Sequence, residues 1–198
     1  MKFCTRPIVT LAVAAVAFTA PALAADSYAI DAAHSNVTFE IRHLMSKVTG
    51  TFDDFNGNFV IDWNNPDAST VEFTIKAASI NTRNEKRDEH LRSPDFFDVA
   101  NHPDISFKGS EITKVDGNTY HVRGTLTMRG VSKDVTLPVT YLGEVVDPWG
   151  NTKAGFEVET ELDRKEYGIV WNKTLDAGGM ILGDDVEVEI DLQMAKKQ

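Results

Sequence analysis

The side chains able to do acid–base or metal chemistry in this 198-residue chain are thinly spread. Its five histidines, His34, His43, His90, His102 and His121, fall in separate stretches. Asp88-Glu89-His90 is the one run that looks like a metal cluster on paper. Neighbouring residues on a helix point about 100° apart, so such a run rarely chelates together, and solvated helix charges are the preferred reading. There is no G-x-S-x-G elbow, no H-E-x-x-H pair and no phosphate-cradling glycine loop. The single cysteine, Cys4, lies close to the N-terminus. No catalytic residue, no metal and no cofactor are therefore expected. The remaining enzymatic alternative is an esterase-type hydrolase with His43 or His90 as base.

His43 is singled out by its company. In residues 35–43, Ser35, Val37, Phe39, Ile41 and His43 share one face of a strand, opposite Asn36, Thr38, Glu40 and Arg42. A histidine on that apolar face is either a satisfied core group or a polar contact for a ligand inside a mostly apolar cavity.

The elements that would position it are strands almost throughout. Phe59, Ile61 and Trp63 repeat the period of two, as do Val71, Phe73 and Ile75. Ile105 with Phe107, Val122 with Leu126 and Met128, Val139 with Tyr141, and Phe156 with Val158 continue it. The cleanest run is the last, where Val186, Val188, Ile190, Leu192 and Met194 alternate with Glu187, Glu189, Asp191 and Gln193. Turn signals such as Asn56-Gly57, Asp116-Gly117 and Arg129-Gly130 separate the runs. One apolar and one wet face over so many segments predict an all-β fold, an antiparallel barrel or sandwich of about eight strands.

Residues 82–103 break the alternation. Thr82 and Glu85 have the spacing of a capping box, Ser93-Pro94 ends one helical run and has the form of a second start, and Pro103 closes the segment. The expectation is a short helical plug carrying Phe96 and Phe97, one packed on the strands and the other at a cavity mouth. Arg83, Lys86, Arg87 and Arg92 on the same segment are either a solvated face or a seat for an anionic head group.

Residues 1–24 read as a secretory signal: Lys2 and Arg6, an apolar run over residues 8–20, then Ala22-Leu23-Ala24 as the cleavage site. That run spans about 20 Å, short of the roughly 30 Å of a bilayer core, so no stable membrane anchor is expected. The expected domains are the signal, 1–24, and one barrel domain, 25–198, located in the periplasm. Loss of Cys4 with the signal leaves a chain without cysteine, held by its core alone. The whole chain carries a net charge of −10. With Lys2 and Arg6 removed the remainder carries −12, which argues against nucleic acid or anionic lipid surfaces as general partners.

These residues also carry a resemblance. Tyr28-x-Ile30-Asp31-x-x-His34-Ser35-x-Val37-x-Phe39-x-Ile41-Arg42-His43 opens it, and Gly50-Thr51-Phe52 and Phe55-x-Gly57 follow. Arg87-Asp88-x-His90-Leu91-Arg92-Ser93-x-Asp95-Phe96-Phe97-Asp98, Gly124-x-Leu126-Thr127-x-Arg129-Gly130-Val131 and Arg164-x-x-Tyr167-Gly168-Ile169-x-Trp171 continue it over residues 26–194. The pattern resembles the YceI family of bacterial exported lipid-binding proteins. The resemblance implies an eight-stranded antiparallel lipocalin-like barrel whose interior holds a long isoprenoid or related lipid, and it implies a homodimer. In such a barrel, core and ligand wall are one surface. The expected ligand-binding wall is Phe39, His43, Phe59, Phe73, Phe96, Phe97, Phe107, Leu126, Met128, Tyr141, Phe156 and Trp171. A small outer-membrane barrel of similar length is the structural alternative.

Overall fold

Strands dominate because β-branched and aromatic residues alternate with polar ones between turn signals. The computed structural model describes residues 25–175 and 178–197. The expected signal, 1–24, lies outside the described residues. Eleven strand segments are present: β1 (Asp26–Ile30), β2 (Asn36–His43), β3 (Ser46–Phe52), β4 (Phe55–Ile61), β5 (Thr70–Lys76), β6 (Ile80–Asn81), β7 (Asp104–Asp116), β8 (Thr119–Met128), β9 (Val131–Val146), β10 (Thr152–Asp163) and β11 (Leu182–Lys196). The segments β1, β4, β5, β7, β8, β9, β10 and β11 pair in that order, and β11 pairs back to β1. This is a closed eight-stranded antiparallel barrel, in which β2, β3 and β6 prolong three of the strands past a break. Closure leaves no bare edge in the ring.

The break between β1 and β2 has a visible fastening. The Ser35 hydroxyl donates to the Asp31 carbonyl at 2.9 Å and accepts from the Gln193 amide at 3.0 Å. The Asp31 carboxylate accepts from Lys153 Nζ at 2.8 Å and from Gln193 Nε2 at 3.1 Å. These contacts, with Lys153 and His34 foremost, hold its pKa well below the usual carboxylate range. A depressed carboxylate stabilises the fold above its unfolded-state pKa of about 3.9 and loses that contribution as pH falls. The stability gap between the parent and Asp31→Asn is therefore expected in full at pH 7 and should narrow progressively as pH falls below about 4, measured by urea unfolding at each pH. A gap that stays constant with pH would show the effect to be steric.

Aromatic rings on the inner face need room, and glycines on neighbouring positions provide it. A Cβ at Gly57 would stand 2.3 Å from the Phe59 ring and 2.7 Å from the Glu72 carbonyl. One at Gly124 would stand 2.6 Å from the Phe107 ring. Glycine here is a packing requirement rather than a turn device. Turn chemistry decides at Arg129-Gly130, where both φ values are positive, 50° and 74°. That matches the type I′ turn joining β8 to β9 across the Met128–Val131 pair.

The plug differs from its sequence expectation in two places. The helix α1 (Glu85–Arg92) starts at Asn84, whose side chain accepts from the Arg87 amide at 3.1 Å. The Thr82–Glu85 capping box does not form. Arg83 has a positive φ of 61°, which reverses the chain between Thr82 and the helix start. Thr82 instead binds the buried Asp88 carboxylate through its amide at 2.9 Å and through its hydroxyl. Beyond α1, Ser93-Pro94 begins a set of turns and not a second helix. The amides of Phe96 and Asp98 both donate to the Ser93 carbonyl at 3.0 Å, and Asp98 takes a positive φ of 48°.

Candidate functional site

The fully buried side chains sit toward the two ends of the barrel. Tyr28 and Met194 lie where β1 meets β11, while Ile80 and Tyr167 lie beside the plug. Between them the inner faces fail to meet and leave a cavity of about 460 Å³. The inner residues of the last strand, Val186, Val188, Ile190, Leu192 and Met194, all line it; Leu192 and Met194 are buried, and Val186, Val188 and Ile190 are half-buried. Such a volume falls in the range of ligand pockets, roughly 300–1,000 Å³, and its wall is almost wholly hydrocarbon.

Of the twelve expected wall residues, eleven line this cavity: Phe39, His43, Phe59, Phe73, Phe96, Phe97, Phe107, Leu126, Met128, Phe156 and Trp171. Tyr141 stands one layer back. A register shift in the β9–β10 ladder between Gly155 and Phe156 sets Tyr141 opposite Phe156, and the Trp63 ring covers it at 4.6 Å. Trp63, inward by alternation, lines the cavity as well, as do Ile61, Val71, Ile75 and Val122. Trp63 stacks parallel to Phe156, with ring centroids 6.4 Å apart. Its Nε1 donates to the Tyr28 hydroxyl at 3.3 Å, and that hydroxyl donates to the Glu144 carboxylate at 2.5 Å. Burial and the Glu144 bond push the Tyr28 pKa far above its ordinary value.

Phe96 and Phe97 both reach the cavity, contrary to the expectation that they diverge. That expectation assumed helical geometry, and the segment is a turn. Phe96 packs on Trp171 at 5.2 Å, and Phe97 meets Phe52 edge-on at 5.7 Å. His90 stands edge-on to Phe96 and Trp171 at 5.0 and 5.1 Å, with Nε2 3.0 Å from the Asp95 carboxylate. The Asp88-Glu89-His90 run is thereby split, since Asp88 bonds Thr82 while His90 borders the cavity and bonds Asp95.

Of the plug's basic groups, Arg87 and Arg92 are engaged, whereas Arg83 and Lys86 are exposed and make no side-chain hydrogen bond among the described residues. Arg87 donates from Nε to the Thr82 hydroxyl at 2.7 Å, and Arg92 donates to the carbonyls of Ala78 and Ile80 at 2.8 and 2.9 Å. Arg129 clamps the plug, donating to the Pro94 carbonyl at 2.7 Å and also to the carbonyl of Gly168. Arg164, fully buried, donates to the carbonyls of Gly183 and Ile169 at 2.7 Å and of Trp171 at 2.9 Å. Burial lowers its pKa, and the nearby Asp184 and Asp163 oppose that shift. His43 differs: among the described residues its ring has no hydrogen-bond partner, although it faces the cavity.

The sequence of this barrel matches the YceI-like domain over residues 28–194, from β1 to the end of the last ladder. The chain belongs to the YceI-like family. A protein named YceI from Escherichia coli is 40% identical over 167 residues, covering 83% of this chain and 87% of that one. The crystal structure of BcnA from Burkholderia cenocepacia superposes with a TM-score of 0.73 at 24% identity, covering 83% of this chain and 98% of that one. A structure described as a polyisoprenoid binding domain from Saccharophagus degradans gives a TM-score of 0.61 at 18% identity, covering 86% and 98%. These last two likenesses concern the fold. The family match spans every strand of the ring, so the cavity is built entirely from the shared domain.

Proposed function

We propose that the protein is a periplasmic carrier that holds one long apolar lipid, of the polyisoprenoid or isoprenoid-quinone class, inside the barrel. The observation that carries this reading is the apolar cavity of about 460 Å³ enclosed by the strands and plug. A neighbour of the same fold is described as polyisoprenoid-binding, which supports the class. A tail with about 20 buried carbons gains about 16 kcal/mol on leaving water, at about 0.8 kcal/mol per methylene. A bilayer offers a similar gain, so the barrel need only shield the chain while it crosses water. No covalent step is required, and the histidines do not form a nucleophile–base–orienter chain that would favour the hydrolase alternative. The outer faces of β10 and β11 bring Glu157, Glu189 and Asp191 within 4.8 Å of one another, a surface ill-suited to face hydrocarbon as an outer-membrane barrel must.

Native mass spectrometry of protein purified from its own periplasm, followed by extraction and identification of the bound molecule, tests the reading. An organic-soluble prenyl chain is expected; an empty barrel, or only polar metabolites, would end it. The same preparation should begin at Ala25 on N-terminal sequencing, as export through the 1–24 signal requires.

Within that reading, His43 is the polar contact for a head group, because its ring nitrogens are free while those around it are spent. His43→Leu is expected to weaken a hydroxyl- or quinone-headed prenyl lipid by about 1–3 kcal/mol. It should leave a pure hydrocarbon chain of equal length nearly unaffected. Equal binding of both ligands by parent and variant would reduce the histidine to a wall residue.

A further inference from the structure

The β2–β3 hairpin turns through Leu44-Met45, with His43 paired to Ser46 across a two-residue loop. Of the two, Leu44 has a positive φ, 53°. That is the pattern of a II′ turn, whose first central position favours glycine because a Cβ is strained there. Both residues are nevertheless large, apolar and bare: Leu44 is 45% exposed and Met45 93%. Hairpin formation alone would select Gly and Asn here, so the fold itself offers no reason for this pair.

The neighbouring loop repeats the anomaly. The Leu44 amide donates to the Ile181 carbonyl at 2.8 Å, joining the turn to residues 178–182, which bridge to Thr174 through Met180. Leu175 (37%) and Met180 (57%) are exposed there, and Val170 is also bare. The patch adjoins the cavity wall directly. Leu44 follows His43, Val170 precedes Trp171, and Met180 stands two residues before Leu182; His43, Trp171 and Leu182 all line the cavity. It also lies at the end closed by residues 82–103, the cover that is not itself part of the ring.

We propose that this end is a membrane-docking tip, with Leu44, Met45, Leu175 and Met180 entering the acyl boundary of a lipid bilayer. Docking brings the plug against the membrane, so that a chain passes between bilayer and cavity without crossing water. The inference rests on the lipid-carrier reading. Shape favours a bilayer over a second copy of the chain. Turn tips are convex and narrow, whereas a stable dimer buries about 800 Å² of matched face on each partner. A fluid apolar medium closes around a tip of any outline. Charge agrees. Arg42 and Lys173, each two residues from a tip leucine, are exposed and stand where head groups would lie, although the whole chain carries −10. They complement anionic lipid. Of the acidic groups at the same end, Asp184 is paired with Lys165 at 2.7 Å, while Asp185 is exposed and makes no ion pair among the described residues.

The test uses the mature chain and vesicles of phosphatidylethanolamine with phosphatidylglycerol, read by flotation, beside solution binding of a dansylated prenyl alcohol. The double variant Leu44→Gly/Met45→Asn suits the turn better than the parent residues, so it should keep its thermal midpoint and bind the probe unchanged. Its partition onto vesicles should fall at least about tenfold, and probe transfer from vesicle to protein should slow. The control variant Val145→Thr/Trp149→Ser, on the bare β9–β10 hairpin, should float like the parent. Unchanged flotation of the Leu44/Met45 variant, or loss of flotation in the control instead, overturns the tip. So does a parent dimer that these two substitutions dissociate, without vesicle binding. A parent that binds the probe but does not float sinks the tip alone. One that floats by this tip without binding the probe sinks the carrier reading and upholds the docking surface.

Discussion

Replacing Arg164 with Ala is expected to lower unfolding stability by about 3–5 kcal/mol, a large share of the roughly 5–15 available to a domain. Its guanidinium is buried and serves three backbone carbonyls, those of Gly183, Ile169 and Trp171, besides facing Asp184 at 3.4 Å. Truncation leaves those carbonyls without their donor in a site that excludes water, and each unsatisfied buried group costs about 1–3 kcal/mol. Arg164→Lys should recover little, since one ammonium cannot reproduce the planar fork that reaches three acceptors. Urea unfolding monitored by Trp fluorescence measures the loss. It should also report earlier exposure of Trp171, which one of these bonds holds in place. A midpoint like that of the parent would show that the 164–184 segment is fastened by other means.

Replacing Val188 with Asp should abolish retention of an apolar chain while costing less stability than the same change in packed core. Val188 lies on the clean alternating run, where sequence alone predicts unfolding. The structure alters the expectation, because Val188 faces the cavity and is only half-buried. A carboxylate there would lie beside a bound hydrocarbon tail, which it cannot hydrogen-bond and which would strip its water. Affinity for a prenyl probe should drop by at least about a hundredfold, equivalent to about 2.8 kcal/mol. The sign of the pH effect follows. Burial raises the folded-state pKa of such a carboxyl above its unfolded value of about 3.9. The folded state then holds a proton that the unfolded state has lost, so the variant is relatively more stable at pH 4 and weakens as pH rises through the raised pKa. A variant that unfolds at every pH would mean that Val188 is packed on all sides. One that binds the probe fully would mean that it points outward.

The contrast at Val188 marks where sequence reasoning stops. Period-two alternation reports which side of a strand is wet, and it did so correctly for Val37, Phe39, Ile41 and His43 as for Val186, Val188 and Ile190. It cannot report whether the dry side meets another dry side or a void, because both need the same apolar residues. Phe59 and Phe73, in the wall, read no differently in sequence from Tyr28, which is packed to full burial. Tyr141 shows a related gap. One shifted residue in the β9–β10 ladder moved it behind Trp63; the extra residue is Leu142 on β9, and its sequence signal is the single glycine after it, Gly143, at φ 106°.

The plug separates the two kinds of information further. Its position, its interruption of the sheet and its aromatic pair were all legible, because Ser93-Pro94 and Pro103 act on the local backbone. The capping of α1 was not, since Thr82 had two partners within reach in sequence, Glu85 and Asp88. The choice between them turned on the positive φ of Arg83 and on burial of Asp88 beneath the helix. Local chemistry and alternation determined the fold class, the closed wet-out and dry-in surface and nearly the whole cavity wall. Tertiary structure decided which polar groups remain unspent: Arg87, Arg92 and Arg164 are committed to backbone carbonyls and hydroxyls, while the His43 ring is left free. The reason is physical. A side chain's hydrogen-bond capacity is used up by partners that arrive from anywhere in the chain, and Arg164 with Gly183, or Arg129 with Pro94, meet only once the barrel has closed.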